Sequence, residues 1–489
     1  MINKIKKLLF KNNDAKQTIA KNIFWLGFGQ LVSRFIRAFI IIYAARLLGP
    51  SEYGVFSYAL GLAGFFTIFA DIGINYTLTR EIAQKPKETN QYFATSFLMK
   101  IFLLLVTAVL VVFVAPYFSK IEVAKILFPF VAIIVVFDNI REFVNSFFRA
   151  KEKMEIEALL TFVTNVSIAL FGFIILKYFQ TSKALTIAYA LSTSIGSLMG
   201  IYILRKEFAG VVRNFRTYLV KYISKIMLPV GIITLASAFM LNIDIIMLGW
   251  WRTSTDIGYY SAGQKIVQVL YTIAAIIASA TFPTLSKFVG IGDQISARTL
   301  LERGITISLL FAAPIAIGGI VLGKSIITLF YGEMYFSSVI PFQILIISII
   351  FVFAQYHLGN FTFAYNKQHL FIPYMFIVTA TNVILNVLLI PSYGVVGAAI
   401  GTLFAQAVQF LFSLKITKQI IDFHILQYLK KIIVAAIFMG FVSFVLDTIG
   451  IFIIANIAIS TALYIAILLA LKERNAIEIL NLSKNFLYK

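Results

Sequence analysis

Between residues 21 and 46 nearly every side chain is apolar, yet Gln30, Arg34 and Arg37 interrupt the run at i, i+4 and i+7. That spacing lines one face of an α-helix. A guanidinium stays charged, and its planar fork matches two phosphate or carboxylate oxygens at once. Such a stripe can bind an anion; the competing role is snorkelling, or pairing with acids on neighbouring helices. Lys265 is the matching cation in the second half of the chain, with Asp244 as an alternative partner for it. Asp71 and Asp244 are candidates for ion coupling, because a carboxylate in low-dielectric surroundings can carry a proton or hold Na⁺; helix packing through hydrogen bonds competes with that role. Lys100 is expected to snorkel near the end of its segment. Asp138, Arg141 and Glu142 stand three and four residues apart and read as a self-neutralising cluster. Gln355, Gln406 and Gln409 could bond hydroxyls or bridge helices, and His357 reads as structural.

Other chemistries are excluded by what the chain lacks. It has no Cys, hence no disulfide, thiolate metal site, iron–sulfur cluster or Cys nucleophile. Its three His, at 357, 369 and 424, are too scattered for a His-based metal site. No cofactor is expected. Gly318-Gly319-Ile320-Val321-Leu322-Gly323-Lys324-Ser325 fits the phosphate-loop pattern, but that loop needs a preceding strand and a soluble nucleotide fold. Here an apolar run precedes it, so the match is read as chance and the chain as having no ATP site of its own.

The elements that must position these residues follow from composition. Of 489 residues, 60% are hydrophobic and 13% charged, and mean hydropathy is +0.91. Soluble domains average about 45–50% apolar and about 25% charged. The chain is therefore an all-α polytopic membrane protein: continuous apolar runs, such as 101–114, fit helices rather than the alternating segments of a barrel. About fourteen spans are expected, the first at 21–46 and the last at 451–471. Net charge is +21, and the basic residues alternate from loop to loop. They crowd the amino-terminal segment, 80–87, 149–153, 205–225, 287–303, 415–431 and the carboxyl-terminal tail, whereas the intervening loops hold Lys120, Lys177, Lys183, Arg252 and Lys324. This pattern places both termini in the cytoplasm and accounts for the charge without nucleic acid. The first residues do not make a signal peptide. The basic segment 205–225, with Phe208, Val211, Val212, Phe215, Tyr218 and Leu219, is expected to lie at the membrane surface.

The chain also echoes itself. Glu52-Tyr53-Gly54-Val55-Phe56-Ser57 and Asp256-Ile257-Gly258-Tyr259-Tyr260-Ser261 both read acid-x-Gly-x-aromatic-Ser, and Thr164-Asn165-Val166 returns as Thr381-Asn382-Val383. In the same order, these echoes suggest two six-helix halves of like orientation, 1–210 and 211–420, around a central cavity, with 421–489 as an added helix pair and tail. Gly196-x-x-x-Gly200 and Gly397-x-x-x-Gly401 would permit close helix packing.

Several segments resemble a known family. Arg46-Leu47-Leu48-Gly49-Pro50-Ser51-Glu52-Tyr53-Gly54-Val55-Phe56 is similar to the stretch between the first two helices of polysaccharide (O-antigen) flippases. Phe69-Ala70-Asp71-Ile72-Gly73-Ile74-Asn75, Asp244-Ile245-Ile246-Met247-Leu248-Gly249, Phe282-Pro283-Thr284-Leu285-Ser286-Lys287, Leu329-Phe330-Tyr331-Gly332 and Pro391-Ser392-Tyr393-Gly394-Val395-Val396-Gly397-Ala398-Ala399 extend the likeness in order. These flippases belong to the multidrug/oligosaccharidyl-lipid/polysaccharide (MOP) exporter superfamily. The resemblance implies lobes like those of multidrug exporters of the MATE type. It also implies alternating access, and polyprenyl-diphosphate-linked oligosaccharide as cargo in the cytoplasmic membrane, with other polysaccharide-assembly membrane proteins as partners. Gln30, Arg34, Arg37 and Lys265 would then hold the diphosphate, and a Na⁺ or H⁺ gradient would reset the carrier. The alternatives within the superfamily are an ion-coupled drug exporter, whose cationic cargo the arginines would repel, and a peptidoglycan-precursor flippase. A membrane polymerase or ligase would need acid–base pairs in sizeable external loops, which the short intervening loops do not offer.

Overall fold

Inside hydrocarbon each backbone N–H and C=O must be satisfied within its own segment, so the apolar runs fold as helices. A computed structural model describes the backbone of residues 15–478; side chains are described there except at some positions between 15 and 30, at 229–241 apart from Gly231, and at 426–428. No strand occurs among the described residues. Ten stretches are long and apolar enough to cross a bilayer, and the chain is a multi-pass membrane protein. Helix α4 (Phe128–Ala150) is not among the ten. Asp138, Arg141, Glu142 and Arg149 fall within it and break its apolar run.

The chain forms two units, Met1–Gly258 and Tyr259–Lys489. In the first, α1 (Ala15–Asp71) bends at Gly49, whose φ of 71° suits glycine and precedes Pro50. Helices α2 (Ile74–Gln84), α3 (Thr89–Val109), α4, α5 (Met154–Tyr178), α6 (Ser182–Ile203) and α7 (Thr217–Trp251) follow. Phe93 of α3 packs edge-on to Phe147 of α4, with ring centroids 5.2 Å apart, in a core that includes Ile74, Leu78 and Phe143. The connector 205–225 joins this core. Val211, Leu219 and Ile223 are buried in it, and the Phe208 ring packs edge-on to Phe97 at 4.8 Å, while Arg205, Lys206, Arg213 and Lys221 stay exposed. Part of its apolar side is thus docked on protein, while Val212 and Tyr218 stay exposed. Gly196 packs against Thr164, and Gly200 against Val144 and Leu160, as the small-residue spacing predicts.

Helix α8 (Ser254–Gly290) starts in the first unit, and there the two copies of the acid-x-Gly motif meet. A Cβ on Gly54 would strike the Ser254 carbonyl, and one on Gly258 would strike the Pro50 carbonyl. The acids cap nearby backbone: Glu52 accepts from the Ser182 N–H at 2.6 Å, at the start of α6, and Asp256 accepts from Thr253 N–H at 3.1 Å. The motif therefore combines a close backbone approach with a carboxylate that satisfies loose N–H groups.

The second unit holds the rest of α8, then α9 (Gln294–Val321), α10 (Gly323–Tyr331), α11 (Val339–Ala364), α12 (Phe371–Ile420), α13 (Leu426–Thr448) and α14 (Ile453–Ala470). In α12 the chain turns back at Gly394, with φ 55°: Gly397 lies on Leu389 and Ile390, and Gly401 on Asn386 and Leu385. Leu310, Ile432, Ala435, Met439 and Tyr464 form a core shared by α9, α13 and α14, and the Tyr464 hydroxyl donates to the Leu310 carbonyl at 2.9 Å. The phosphate-loop match sits at the α9–α10 junction, with a helix where a strand would be needed. Its Ser325 hydroxyl bonds Asp447 at 2.8 Å and Lys324 lies over the Phe336 ring.

Candidate functional site

The amino-terminal arm of α1 lies along α5 because small residues let the two backbones close up: Gly29 sits on Ala158, and Ile40 on Gly172. Arg34 and Arg37 stand beside this seam, Arg34 exposed and Arg37 half-buried. The Arg37 Nε donates to Asn165 Oδ1 at 2.9 Å, and the Asn165 amide nitrogen donates to the Thr161 carbonyl at 2.8 Å. That second bond fixes which way the Asn165 amide faces, so its oxygen is the atom presented to the arginine. Among the described residues Arg37 has no carboxylate partner and its terminal nitrogens bond no side chain. Its charge is oriented without being cancelled, and its fork remains available to an anion. The Gln30 side chain, third member of the stripe, lies outside the described residues.

The other sequence candidates fall elsewhere. Lys265 is half-buried in the second unit, with Gln268 Oε1 at 3.3 Å from its Nζ. Asp244 is buried in α7, in the first unit. Asp71 accepts from Lys100 Nζ at 3.1 Å and from the Asn75 N–H at 3.2 Å. The expectation that Lys100 snorkels is overturned: its side chain is 0% exposed, and Nζ is held by Asp71 and by Asn139 Oδ1 at 3.2 Å. With a carboxylate and an amide oxygen inside reach, it has no reason to extend to the boundary.

Asp138, Arg141 and Glu142 do come together, with Arg141 Nη2 2.8 Å from Asp138 and 3.5 Å from Glu142. The cluster is larger than the sequence spacing implied. Glu142 also reaches Arg149 at 3.3 Å and Asn145 at 3.2 Å, and Arg149 makes a two-pronged pair with the buried Glu157 of α5. Two nitrogens of Arg141, Nε and Nη1, are buried without a hydrogen-bond partner among the described residues. The first unit thus contains two kinds of cation: Lys100, Arg141 and Arg149 tied to acids, and Arg37 tied to an amide. Among the described residues no group of three or more His, Asp or Glu is placed to hold a metal ion.

Sequence reasoning missed Asn165 and Asn139 as partners. The signal was present in Asn165, a lone amide in the middle of an apolar run, but it was read only as a repeat echo.

Residues 19–289, more than half of the chain, match the family described as Polysaccharide biosynthesis protein, and residues 229–389 match the MatE family. The chain belongs to the polysaccharide biosynthesis protein family. Among curated relatives of this family member are a probable low-salt glycan biosynthesis flippase, Agl15, of Haloferax volcanii, and a putative O-antigen transporter of Shigella flexneri. The first is 22% identical over 75% of this chain and 77% of the relative; the second is 23% identical over 65% and 78%. Among solved structures, the lipid II flippase MurJ in an inward closed conformation superposes with a TM-score of 0.75 at 17% identity, over 90% of this chain and 97% of MurJ. At that identity the likeness establishes the fold alone, and the relatives are named as a flippase and a transporter rather than as catalysts.

Proposed function

We propose that this protein is a flippase that carries polyprenyl-diphosphate-linked oligosaccharide across the cytoplasmic membrane by alternating access, supplying cell-surface polysaccharide synthesis. The observation that carries the reading is the Arg37 guanidinium, held by the Asn165 amide and left uncancelled by any described carboxylate. A lipid diphosphate is an anion that must pass hydrocarbon, and a half-buried fork with free N–H groups offsets the loss of water around its oxygens. Arg34, one turn away on the same helix, adds a second cation; Gln30 extends the stripe and Lys265 supplies the counterpart from the second half. The sugars enter the cavity with the diphosphate while the polyprenyl tail stays in lipid.

In this reading the chain crosses the membrane about fourteen times, with both termini in the cytoplasm, as the alternation of basic loops supports. Six-helix lobes at 1–210 and 211–420 rock about the cargo, and 421–489 forms an added helix pair and tail. A Na⁺ or H⁺ gradient resets the carrier through Asp71 or Asp244, and Asp71 would act by exchanging its Lys100 ion pair for the ion. Polysaccharide-assembly membrane proteins supply and receive the cargo.

The test is the Arg34→Ala/Arg37→Ala double variant in cells that depend on this chain for surface glycan. Surface glycan should fall about tenfold or more, as expected when two charge-assisted contacts are lost, with lipid-linked glycan accumulating on the cytoplasmic face. Unchanged surface glycan at normal protein levels would overturn the reading. The fold likeness to MurJ also favours a peptidoglycan-precursor cargo of the same diphosphate chemistry. Rescue of cells lacking a lipid II flippase, without effect on surface glycan, would select that cargo instead.

A further inference from the structure

The second unit contains a hollow of about 630 Å³ at the end where α12 stops and α13 begins. Its wall comes from four helices: Leu309 and Ala313 of α9, Phe351 and Ala354 of α11, Leu414 of α12 and Ile432 of α13 are representative, and they are apolar throughout. Water does not fill such a space, because it finds none of the two to four polar partners it needs there. Several wall residues, including Ile350 and Ile433, are exposed on the outside of the unit, so the hollow is a groove open to its surroundings. In a membrane those surroundings are hydrocarbon chains.

Basic side chains stand at the mouth of the groove. Lys418 lies on its rim, exposed and without an ion pair or hydrogen bond to any described residue. His424 also lines it, and its Nδ1 is 3.1 Å from Arg298 Nη2. Arginine can only donate, so Nδ1 accepts and the imidazole presents its Nε2–H outward. Glu302 Oε1 accepts from Arg298 Nε and from the His424 backbone N–H, each at 2.9 Å, so this acid and Arg298 offset one another, and the exposed Asp422 is the other acid near the rim. Two donors at the lip of an apolar groove match a molecule with a phosphate at one end and hydrocarbon behind it.

We infer that this groove binds an anionic phospholipid, with an acyl chain between α9, α11, α12 and α13 and the phosphate on Lys418 and His424. In the orientation proposed above, the mouth faces the cytoplasmic leaflet, where anionic lipids are drawn to basic pockets between helices. The site does not depend on what the protein transports, so its failure and failure of the flippase reading are separate results.

The experiment uses the purified full-length chain in detergent, with native mass spectrometry against phosphatidylglycerol, phosphatidylcholine and undecaprenyl phosphate. Phosphatidylglycerol should bind, and Lys418→Glu should weaken it about tenfold by replacing attraction with repulsion at the phosphate. Ala313→Phe should weaken it comparably by filling the groove, and Lys418→Gln, at an exposed position that the fold does not use, should give an intermediate loss. Equal binding of phosphatidylcholine would overturn the charge assignment. Unchanged phosphatidylglycerol binding in Ala313→Phe or Lys418→Gln would overturn the site. Competitive displacement by undecaprenyl phosphate, itself lost in Ala313→Phe, would assign the groove to a polyprenyl tail and overturn the phospholipid.

Discussion

The two units weight buried charge differently. Among the described residues, the first unit buries Lys21, Glu81, Lys100, Arg141, Glu157 and Asp244, whereas the second buries Glu302 and Glu473 and, besides these, the imidazole of His357. The first answers charge with charge: Lys100 with Asp71, Arg141 with Asp138, Arg149 with Glu142 and Glu157. The second pairs Arg298 with the buried Glu302 at 2.9 Å, and otherwise leans on hydroxyls, amides and an imidazole: Ser308 with His357 at 2.8 Å, Asn386 with Asn382 at 3.1 Å, and Asn456 with Ser443 and Ser460 at 3.0 Å each. Even the repeated Thr-Asn-Val segment diverges. Asn165 holds an arginine, while Asn382 accepts from another asparagine. Buried ion pairs carry a desolvation cost that neutral pairs largely avoid, so an ionic interior is a poor route to stability alone. Its concentration in the first unit marks that unit as the one that removes more charge from water.

The contrast breaks most easily at Lys100. Lys100→Met leaves Asp71 without its cation inside the helix bundle. Removing one partner of a buried pair costs about 3–5 kcal/mol, and the low end applies here because Asp71 retains 28% side-chain exposure. All three Trp, at 25, 250 and 251, lie in the first unit, so denaturant titration followed by Trp fluorescence reads that unit directly. Adding Asp71→Asn should recover more than half of the loss, since an amide tolerates burial where a lone carboxylate does not. A single variant as stable as the parent would show that the ionic interior is no part of the fold's support.

A smaller effect is expected in the second unit at Asn456. Its amide oxygen accepts from both Ser443 and Ser460, and its nitrogen donates to the Ser443 carbonyl at 2.9 Å. Asn456→Ala leaves hydroxyls buried without partners, at a cost of about 1–2 kcal/mol. Thermal unfolding followed by circular dichroism should place this variant between the parent and Lys100→Met. A loss equal to that of Lys100→Met would mean that the units differ in chemistry but not in what that chemistry does for stability.

The helices were legible in the sequence because hydrocarbon leaves the backbone little other choice. The arginine stripe was legible too, since two guanidinium groups in an apolar run are anomalous by type and spacing alone. What could not be read was pairing at long range. Arg37 meets Asn165 128 positions later, and Lys100 meets Asp71 and Asn139 from two other helices. Lys100 therefore looked like a boundary lysine, and Arg149 like a loop cation. The connector 205–225 was legible only in part for a related reason: its amphipathic face is real, and part of its apolar side packs on the α3–α4 aromatic core while Val212 and Tyr218 stay exposed. Local periodicity reports that a face is apolar; which surface covers it is decided by tertiary packing.

The comparison sharpens at its weakest point, the exposed pair Lys125–Glu122. It belongs to the charge-rich first unit and is short, at 2.7 Å, but its side chains are 36% and 80% exposed. Water and salt screen such a pair, and holding two long side chains in one geometry offsets much of the attraction. Lys125→Ala should therefore change stability by less than about 0.5 kcal/mol in the same Trp titration that reads Lys100→Met. If it cost as much as Asn456→Ala, charge itself would distinguish the units. If it costs almost nothing, the distinguishing quantity is charge removed from water, the condition Arg37 meets halfway: partly desolvated, oriented by an amide, and still carrying its full positive charge.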